Sequence, residues 1–208
     1  MIVKSIKSEK KHLTLVSFSN ESEILLDNDT VSENSICVGT EIDEQFLSEL
    51  KFDSDFRRAK SRALWYLDRM DYTEKALYEK LLKAGFSKKA SASVLGKLCE
   101  LGLVDDRRFA ERLAERLIES NTSKREALHK MLLKGVPYDM AKDVLSETET
   151  DEELQITALL TSKYAYKLNL ENGAQKVFAA LVRKGFSYGG IRNAMKKYIE
   201  EQDFCEEY

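Results

Sequence analysis

LLKAGFSKKASASVL, residues 81–95, is the stretch that decides the fold, because the chain repeats it twice. Segments MLLKGVPYDMAKDVL (131–145) and LVRKGFSYGGIRNAM (181–195) align with it without a gap, and apolar residues recur in register. The fifth residue of each segment is a glycine, and these glycines stand fifty residues apart: Gly85, Gly135 and Gly185. Self-similarity at such a period predicts a repeat architecture.

Each repeated segment predicts the end of one helix and the start of another. Before Gly85, leucine and tyrosine residues recur at helical spacing, and Gly85 itself suits the left-handed conformation that ends a helix. Ser87 and Ser187 are natural N-caps for the helix that follows. Pro137, at the equivalent place, can open a helix because its missing N–H would be unsatisfied there.

A third predicted helix precedes each pair, over residues 55–69, 106–120 and about 152–168. Ser123 with Glu126 three residues later forms a capping box, which predicts the start of the next helix. The unit is therefore a three-helix repeat. The predicted boundaries are 53–102 for the first repeat, 103–148 for the second, and 149–208 for the third with an acidic tail.

A single unit of about 45 residues has little core and would be marginally stable alone. Neighbouring units are therefore predicted to pack end to end into an elongated, curved body. Residues 1–52 differ, because IVKSI, LTLVSF and EILLD read as short strands, and EIDEQFLSEL as a short helix. The predicted fold class is all-α, three tandem three-helix repeats with a small N-terminal β segment.

Composition excludes several classes of protein. One proline and nine glycines in 208 residues are too few turn formers for an all-β chain. No apolar stretch is long enough to span a membrane, and the first residues lack the apolar core of a signal peptide, so we expect a cytoplasmic protein that binds no membrane. Three scattered cysteines without a CxxC pair give neither a disulfide framework nor a zinc site.

Enzyme signatures are missing as well. Gly96-Lys97 lacks the upstream glycine of a phosphate-binding loop, which excludes a P-loop ATPase. Glu126 and His129 form a single ExxH, which a di-iron bundle would need twice, so a helix surface explains it better. The sequence thus predicts no catalytic residue, no metal, no cofactor and no enzymatic activity.

Charge is segregated along the chain. Residues 1–52 hold 5 Lys and Arg against 10 Asp and Glu, residues 53–146 hold 20 against 15, and residues 147–208 hold 8 against 11. The net charges are therefore −5, +5 and −3. A basic middle between acidic ends favours a protein that meets a polyanion or an acidic protein surface through its centre. A solvated helical surface explains the same balance.

Two basic clusters are candidate binding residues. In the first, arginines recur every fourth residue and so form a ridge on one helix face: Arg108, Arg112 and Arg116. Each has a glutamate three residues on, namely Glu111, Glu115 and Glu119, and such a pair is worth only about 0.2 to 0.5 kcal/mol, too little to prevent an arginine from binding a phosphate or carboxylate. Binding and an ordinary paired surface both fit.

The second cluster begins the first repeat, with Trp65 and Tyr66 close behind it. Its members are Arg57, Arg58, Lys60 and Arg62. Basic residues beside aromatic ones can hold a phosphate backbone and stack a base. Aromatic residues at helical spacing also form ordinary core, so this pattern leaves both interpretations open.

The run LGLVDDRRFAERL (101–113) resembles the signature of the RecX family, regulators of the RecA recombinase. Segments 59–86 and LVRKGFS (181–187) resemble the family's first and last repeats. The residues that match the signature are Gly102, Asp105, Asp106, Phe109 and Ala110. In the last repeat, the two basic residues that precede Gly-Phe in the family are Arg183 and Lys184, which join the candidate binding residues.

The resemblance implies a crescent-shaped, non-enzymatic and monomeric protein that lies in the groove of the RecA filament on single-stranded DNA. Such proteins inhibit strand exchange and ATP hydrolysis by RecA, which implies a role in recombination, DNA repair and the SOS response. Two alternatives remain open. One is a sequence-nonspecific DNA-binding module that acts without RecA, and the other is a helical scaffold for unrelated partner proteins.

Overall fold

The computed structural model describes residues 1–10 and 12–206, and the chain forms two compact units. The first unit covers Met1–Asp105, and the second begins at Asp106. The acidic side chains of the predicted tail, residues 201–208, lie outside the described part. The helical fold class with a small N-terminal sheet is confirmed.

The first unit begins with a three-stranded antiparallel sheet. Strands β1 (Val3–Lys10), β2 (Leu13–Phe18) and β3 (Glu23–Asp27) lie in the order β1-β2-β3, and a short helix α1 (Asn28–Glu33) follows. Alternate residues of β2 are buried, as expected for a sheet with one face against a core. The three strands predicted from the sequence are present.

The next element is a single long helix, α2 (Glu44–Leu67), where the sequence predicted a short helix and then a separate one. That prediction was wrong, because residues 53–55 lie inside α2. The buried Ser54 hydroxyl accepts a hydrogen bond from the Asp27 backbone N–H at 2.7 Å, which ties the helix to β3. The predicted boundary between residues 52 and 53 therefore falls within one helix.

After α2, helices alternate with short turns. They are α3 (Glu74–Lys83), α4 (Lys88–Glu100), α5 (Asp106–Glu119), α6 (Lys124–Leu133), α7 (Tyr138–Glu147), α8 (Glu152–Leu159), α9 (Ala165–Leu168), α10 (Gly173–Arg183) and α11 (Tyr188–Glu206). A π-helical turn, Leu160–Tyr164, joins α8 to α9. The predicted helix over about 152–168 is therefore present, but nothing in the sequence predicted its π turn.

The repeated segments adopt the predicted helix, glycine and helix. Gly85, Gly135 and Gly185 each have φ of +91°. The Ser87 and Ser187 hydroxyls accept hydrogen bonds from backbone N–H groups three residues on, at 3.3 and 3.0 Å. The equivalent leucine and methionine positions of the three repeats, Leu81, Met131 and Leu181, are fully buried.

In the first and third repeats, a carboxylate from the first helix also caps the start of the last helix. The Asp55 carboxylate accepts from the Ser87 N–H at 3.0 Å, and the Glu152 carboxylate accepts from both the N–H and the hydroxyl of Ser187, at 2.7 and 2.6 Å. In the second repeat Pro137 has no N–H to donate, so this link cannot form there. The three repeats thus have the same order of helices. They differ in the hydrogen bond between the first and the last helix, which the second repeat cannot form in the same way.

Candidate polyanion-binding surfaces

The arginine ridge lies on the outer face of α5. The opposite face of this helix is buried through Ala110, Leu113 and Ala114. The three arginines that form the ridge, Arg108, Arg112 and Arg116, are all exposed. A guanidinium in this setting can present a planar pair of N–H donors to a phosphate or carboxylate oxygen.

The neighbouring Arg107 has a structural role, which the sequence did not indicate. Its Nε donates to Glu111 at 3.0 Å, and its Nη2 donates to Glu147 at 2.6 Å, which joins α5 to α7. The hydrogen bond that Arg107 donates to Glu147, and then the negative charge of Glu147, raise the pKa of the Arg107 guanidinium. Arg107 therefore holds its repeat together, on a different side of α5 from the ridge.

Residues of the RecX-like signature are structural. Gly102 adopts a φ of +66°, Asp105 ends the first unit, and Asp106 is the first residue of α5. Ala110 is fully buried, and Phe109 packs against the same core cluster. The signature thus describes a tight turn, a helix start with its acidic first turn, and one step of core packing.

The basic cluster of the first repeat is divided by its contacts. Arg57 forms an ion pair with Glu33 of α1, and the Arg58 guanidinium lies 5.8 Å from the ring centre of Phe86. Lys60 is half-buried, whereas Arg62 is exposed. Of the four predicted binding residues here, Arg62 is therefore the one that is exposed.

Arg62 lies beside the exposed Trp65, and Arg69 lies over the same indole. Trp65 is 46% exposed, and the guanidinium of Arg69 lies 3.5 Å from the centre of its indole. Arg62 lies 5.4 Å from the same centre. Tyr66, by contrast, is half-buried and packs against the core of the repeat. The sequence pattern suggested both aromatic residues together, and the structure separates them into one surface and one core residue.

Arg183 and Lys184 near the end of α10 also differ from each other. Arg183 is exposed, and it lines a shallow surface groove together with Lys176, Phe178, Ala179, Val182 and Tyr188. The Lys184 ammonium instead binds Glu126 at 3.3 Å, and its carbonyl accepts from the Ser123 hydroxyl at 2.5 Å. Lys184 therefore joins the third repeat to the second, whereas the exposed Arg183 donates from its Nε to the Ala179 carbonyl of its own helix at 3.4 Å.

The predicted capping box at Ser123 is only half formed. The Ser123 hydroxyl accepts from the Glu126 N–H at 3.2 Å, as predicted. The Glu126 carboxylate does not complete the box, because it binds Lys130 at 2.8 Å and Lys184 at 3.3 Å. The hydrogen bond from Lys130, opposed in part by burial and assisted by Lys184, lowers the pKa of Glu126 below its ordinary 4.5.

This lowered pKa predicts a pH-dependent contribution to stability. A carboxyl group whose pKa is lower in the folded state stabilises the fold above its ordinary pKa, and that stability is lost as pH falls through the folded value. E126Q is expected to lower the melting temperature at neutral pH by about 2 to 4 °C, from about 1 kcal/mol. The difference from the wild type should shrink as pH falls below 4.5.

Thermal melts by circular dichroism, at a series of pH values between about 7 and 3, measure this difference. Other carboxyl groups titrate in the same range, so the quantity to follow is the gap between wild type and variant. E149Q, at an exposed position between α7 and α8, is the matched control and should show no gap. A gap for E126Q that stays constant down to pH 3 contradicts the assignment.

Neither a metal site nor a membrane span is found in the described part of the chain. Among residues 1–10 and 12–206, no three His, Cys, Asp or Glu side chains are grouped so as to hold a metal ion. The helices within that same part are too short or too polar to cross a bilayer. Together, the repeated helices and their exposed arginines define the class of protein: a helical-repeat protein with exposed cationic surfaces.

Comparison with known proteins finds similarity to one family. Residues 59–98 match the family model described as RecX, first three-helix domain. The regulatory protein RecX of Streptococcus equi subsp. zooepidemicus is 26% identical over 199 residues, which cover 94% of this chain and 76% of that protein. The regulatory protein RecX of Clostridium tetani is 22% identical over 198 residues, which cover 93% of this chain and 91% of the relative.

Solved structures share the fold. A crystal structure of regulatory protein RecX superimposes with a TM-score of 0.69 at 20% identity, covering 94% of this chain and 98% of the other. RecX from Lactobacillus salivarius gives a TM-score of 0.62 at 22% identity, over 69% of this chain and 96% of that one. The resemblance to the RecX family is confirmed: this chain is similar to RecX regulatory proteins over nearly all of its length.

Proposed function

We propose that this protein is a non-enzymatic regulator of homologous recombination and DNA repair that binds the RecA filament on single-stranded DNA. In this role it inhibits ATP hydrolysis and strand exchange by RecA. It acts in the cytoplasm as a monomer, with no cofactor, and within the SOS response. The observation that carries the proposal is the similarity to regulatory RecX proteins over 94% of the chain.

The placement of the cations supports a filament as the partner. Exposed arginines occur in each of the three repeats, at Arg62, on the α5 ridge and at Arg183. A filament offers the same phosphates and protein surfaces many times over. Several weak contacts within one chain then add as a multivalent engagement, which is stronger than any contact alone.

The direct test is the ATPase activity of RecA on single-stranded DNA, measured with increasing amounts of this protein. The rate is expected to fall and then to level off once the filament is saturated with this protein, because the protein binds the filament that hydrolyses ATP. An equal amount of albumin is the control and should have no effect. An unchanged rate, with no cosedimentation of this protein with the filament, would reject the proposal.

The DNA-binding module that acts without RecA is the second candidate, and the exposed Trp65 with its arginines is the observation that favours it. It predicts tight binding to bare single-stranded DNA that weakens steeply with salt, since each neutralised phosphate releases a counterion. Persistent filament binding at a salt concentration that removes bare DNA binding would reject this candidate.

A further inference from the structure

The C-terminal end of α2 carries a stripe of alternating cationic and aromatic side chains. Arg62 and Trp65 are three residues apart on one face of α2, and Arg69 follows four residues later in the turn after the helix. The guanidinium groups of the two arginines lie 5.4 and 3.5 Å from the centre of the Trp65 indole. The Arg69 Nη1 also donates to the Trp65 carbonyl at 2.9 Å, which holds this arginine along the helix.

Core packing does not explain Trp65. The side chain is 46% exposed, although the core of this repeat lies beside it and takes up the next residue, Tyr66. The edge of the Tyr66 ring meets the indole, with ring centres 5.3 Å apart and planes at 71°. Tryptophan has a large apolar surface, and leaving nearly half of it in water carries a cost that a smaller residue would avoid.

One further cation extends the stripe toward α3. The Lys80 ammonium lies 4.7 Å from the ring centre of Tyr66 and 5.1 Å from that of Tyr72. Asp68 and Asp71 are close to Arg69 in sequence and follow the end of α2. The exposed indole therefore has cations near it on both sides along the chain, Arg62 before it and Arg69 after it.

This combination fits an unpaired nucleotide better than an acidic protein segment. A carboxylate partner would use the guanidinium groups but would leave the indole unused. A nucleotide uses both, because its base stacks on an aromatic face and its phosphates bind the cations. Base stacking on an aromatic side chain is a stronger contact than an exposed cation–π pair, so a base can displace Arg69 from the indole. The displaced guanidinium then reaches a flanking phosphate.

We propose that Trp65 is a stacking site for an unpaired base of single-stranded DNA, with Arg62 and Arg69 binding the phosphates on either side of that base. The site is independent of base identity, because every base has an aromatic face. This inference rests on single-stranded DNA being part of the proposed partner. It adds an aromatic residue that touches the bases, which the arginine ridge of α5 does not contain.

The chain itself supplies the probe, because Trp65 is its one tryptophan. Titration of the full-length protein with an oligodeoxythymidylate of about 20 nucleotides should quench the tryptophan fluorescence, and the quench should follow the anisotropy of a labelled oligonucleotide. W65A should weaken binding about tenfold, and W65F much less, since a smaller ring still stacks. Y166A removes another exposed aromatic, from α9, and is the matched control that should leave affinity unchanged.

The arginines are tested through salt. R62Q together with R69Q should reduce the slope of log affinity against log salt by about 0.7 for each lost phosphate contact. W65A should weaken affinity and leave that slope unchanged, which separates stacking from charge. Three outcomes overturn the inference. The oligonucleotide binds without changing the tryptophan fluorescence, or it binds W65A as tightly as the wild type, or it does not bind at low salt.

A protein partner at this surface gives another result. RecA without DNA would then quench Trp65 and the oligonucleotide would not, which also overturns the inference. The proposed function fails separately: an unchanged RecA ATPase rate, together with a quench by the oligonucleotide, would reject filament inhibition and leave the stacking site in place.

Discussion

Charge reversal of the α5 ridge, in R108E/R112E/R116E, is expected to abolish inhibition of the RecA ATPase. All three side chains are exposed on the helix face opposite the buried Ala110 and Leu113. One hydrogen bond to a charged group is worth about 1.5 kcal/mol or more, so loss of a single contact already raises the half-inhibitory concentration about tenfold. Loss of three contacts, together with charge repulsion, should raise the half-inhibitory concentration beyond the range of the assay.

Two further variants make this result interpretable. The three glutamates would stand near the native Glu115 and could weaken α5 by like-charge repulsion, so R108Q/R112Q/R116Q provides a neutral version. It should also lose inhibition, while its circular dichroism and melting temperature stay close to the wild type. K75E/K88E/K142E changes the net charge by the same amount at exposed positions outside the ridge, and it is the matched control.

The control should retain most of the inhibition if the ridge makes specific contacts. Equal losses in the ridge and control variants would show that only overall charge matters. Full inhibition by the folded glutamine variant would show that the ridge is not part of the binding surface. The concentration series should be repeated at two salt concentrations, because the contribution of each arginine to phosphate binding falls as salt rises.

The repeated architecture could be predicted from the sequence because its cause is local. A glycine after an apolar helical stripe, followed by a capping serine, is decided by neighbouring residues, and Gly85 and Ser87 behave as that pattern predicts. The strands at the start were predictable for the same reason. The continuity of α2 was not, because Ser54 resembles a cap and is used instead by Asp27, 27 residues away.

Candidate site residues were harder to predict, since exposure and pairing depend on contacts distant in sequence. Glu126 looked like half of a local capping box, yet its carboxylate binds Lys184, 58 residues away. Trp65 and Tyr66 are adjacent, and no local rule says that one lies on the surface and the other in the core. Arg69 could have been found, because it lies four residues after Trp65, just past the end of the same helix.

Gly185 of the third repeat lies close to Arg125 and Ser123 of the second repeat, whereas the equivalent Gly85 has no such neighbour. Substitution of the two glycines tests the importance of this contact. A Cβ added at Gly185 would lie 2.8 Å from the Arg125 Cβ and 3.0 Å from the Ser123 hydroxyl oxygen. A Cβ added at Gly85 would meet nothing within 4 Å. Both glycines have φ of +91°, so the backbone strain of an alanine is the same at the two positions.

G185A is therefore expected to be much more destabilising than G85A. The left-handed backbone costs an L-residue about 1 to 2 kcal/mol in either variant. G185A adds about 1 to 3 kcal/mol, because the Arg125 Cβ is fixed to the backbone of α6 and cannot move aside alone. Denaturant unfolding of both variants measures the difference directly, with the wild type as reference. Equal losses of unfolding free energy would show that α6 yields at this contact, and that Gly185 is required only for its backbone conformation. A larger loss in G185A than in G85A would show that close approach of the two repeats, and not the turn alone, requires glycine there.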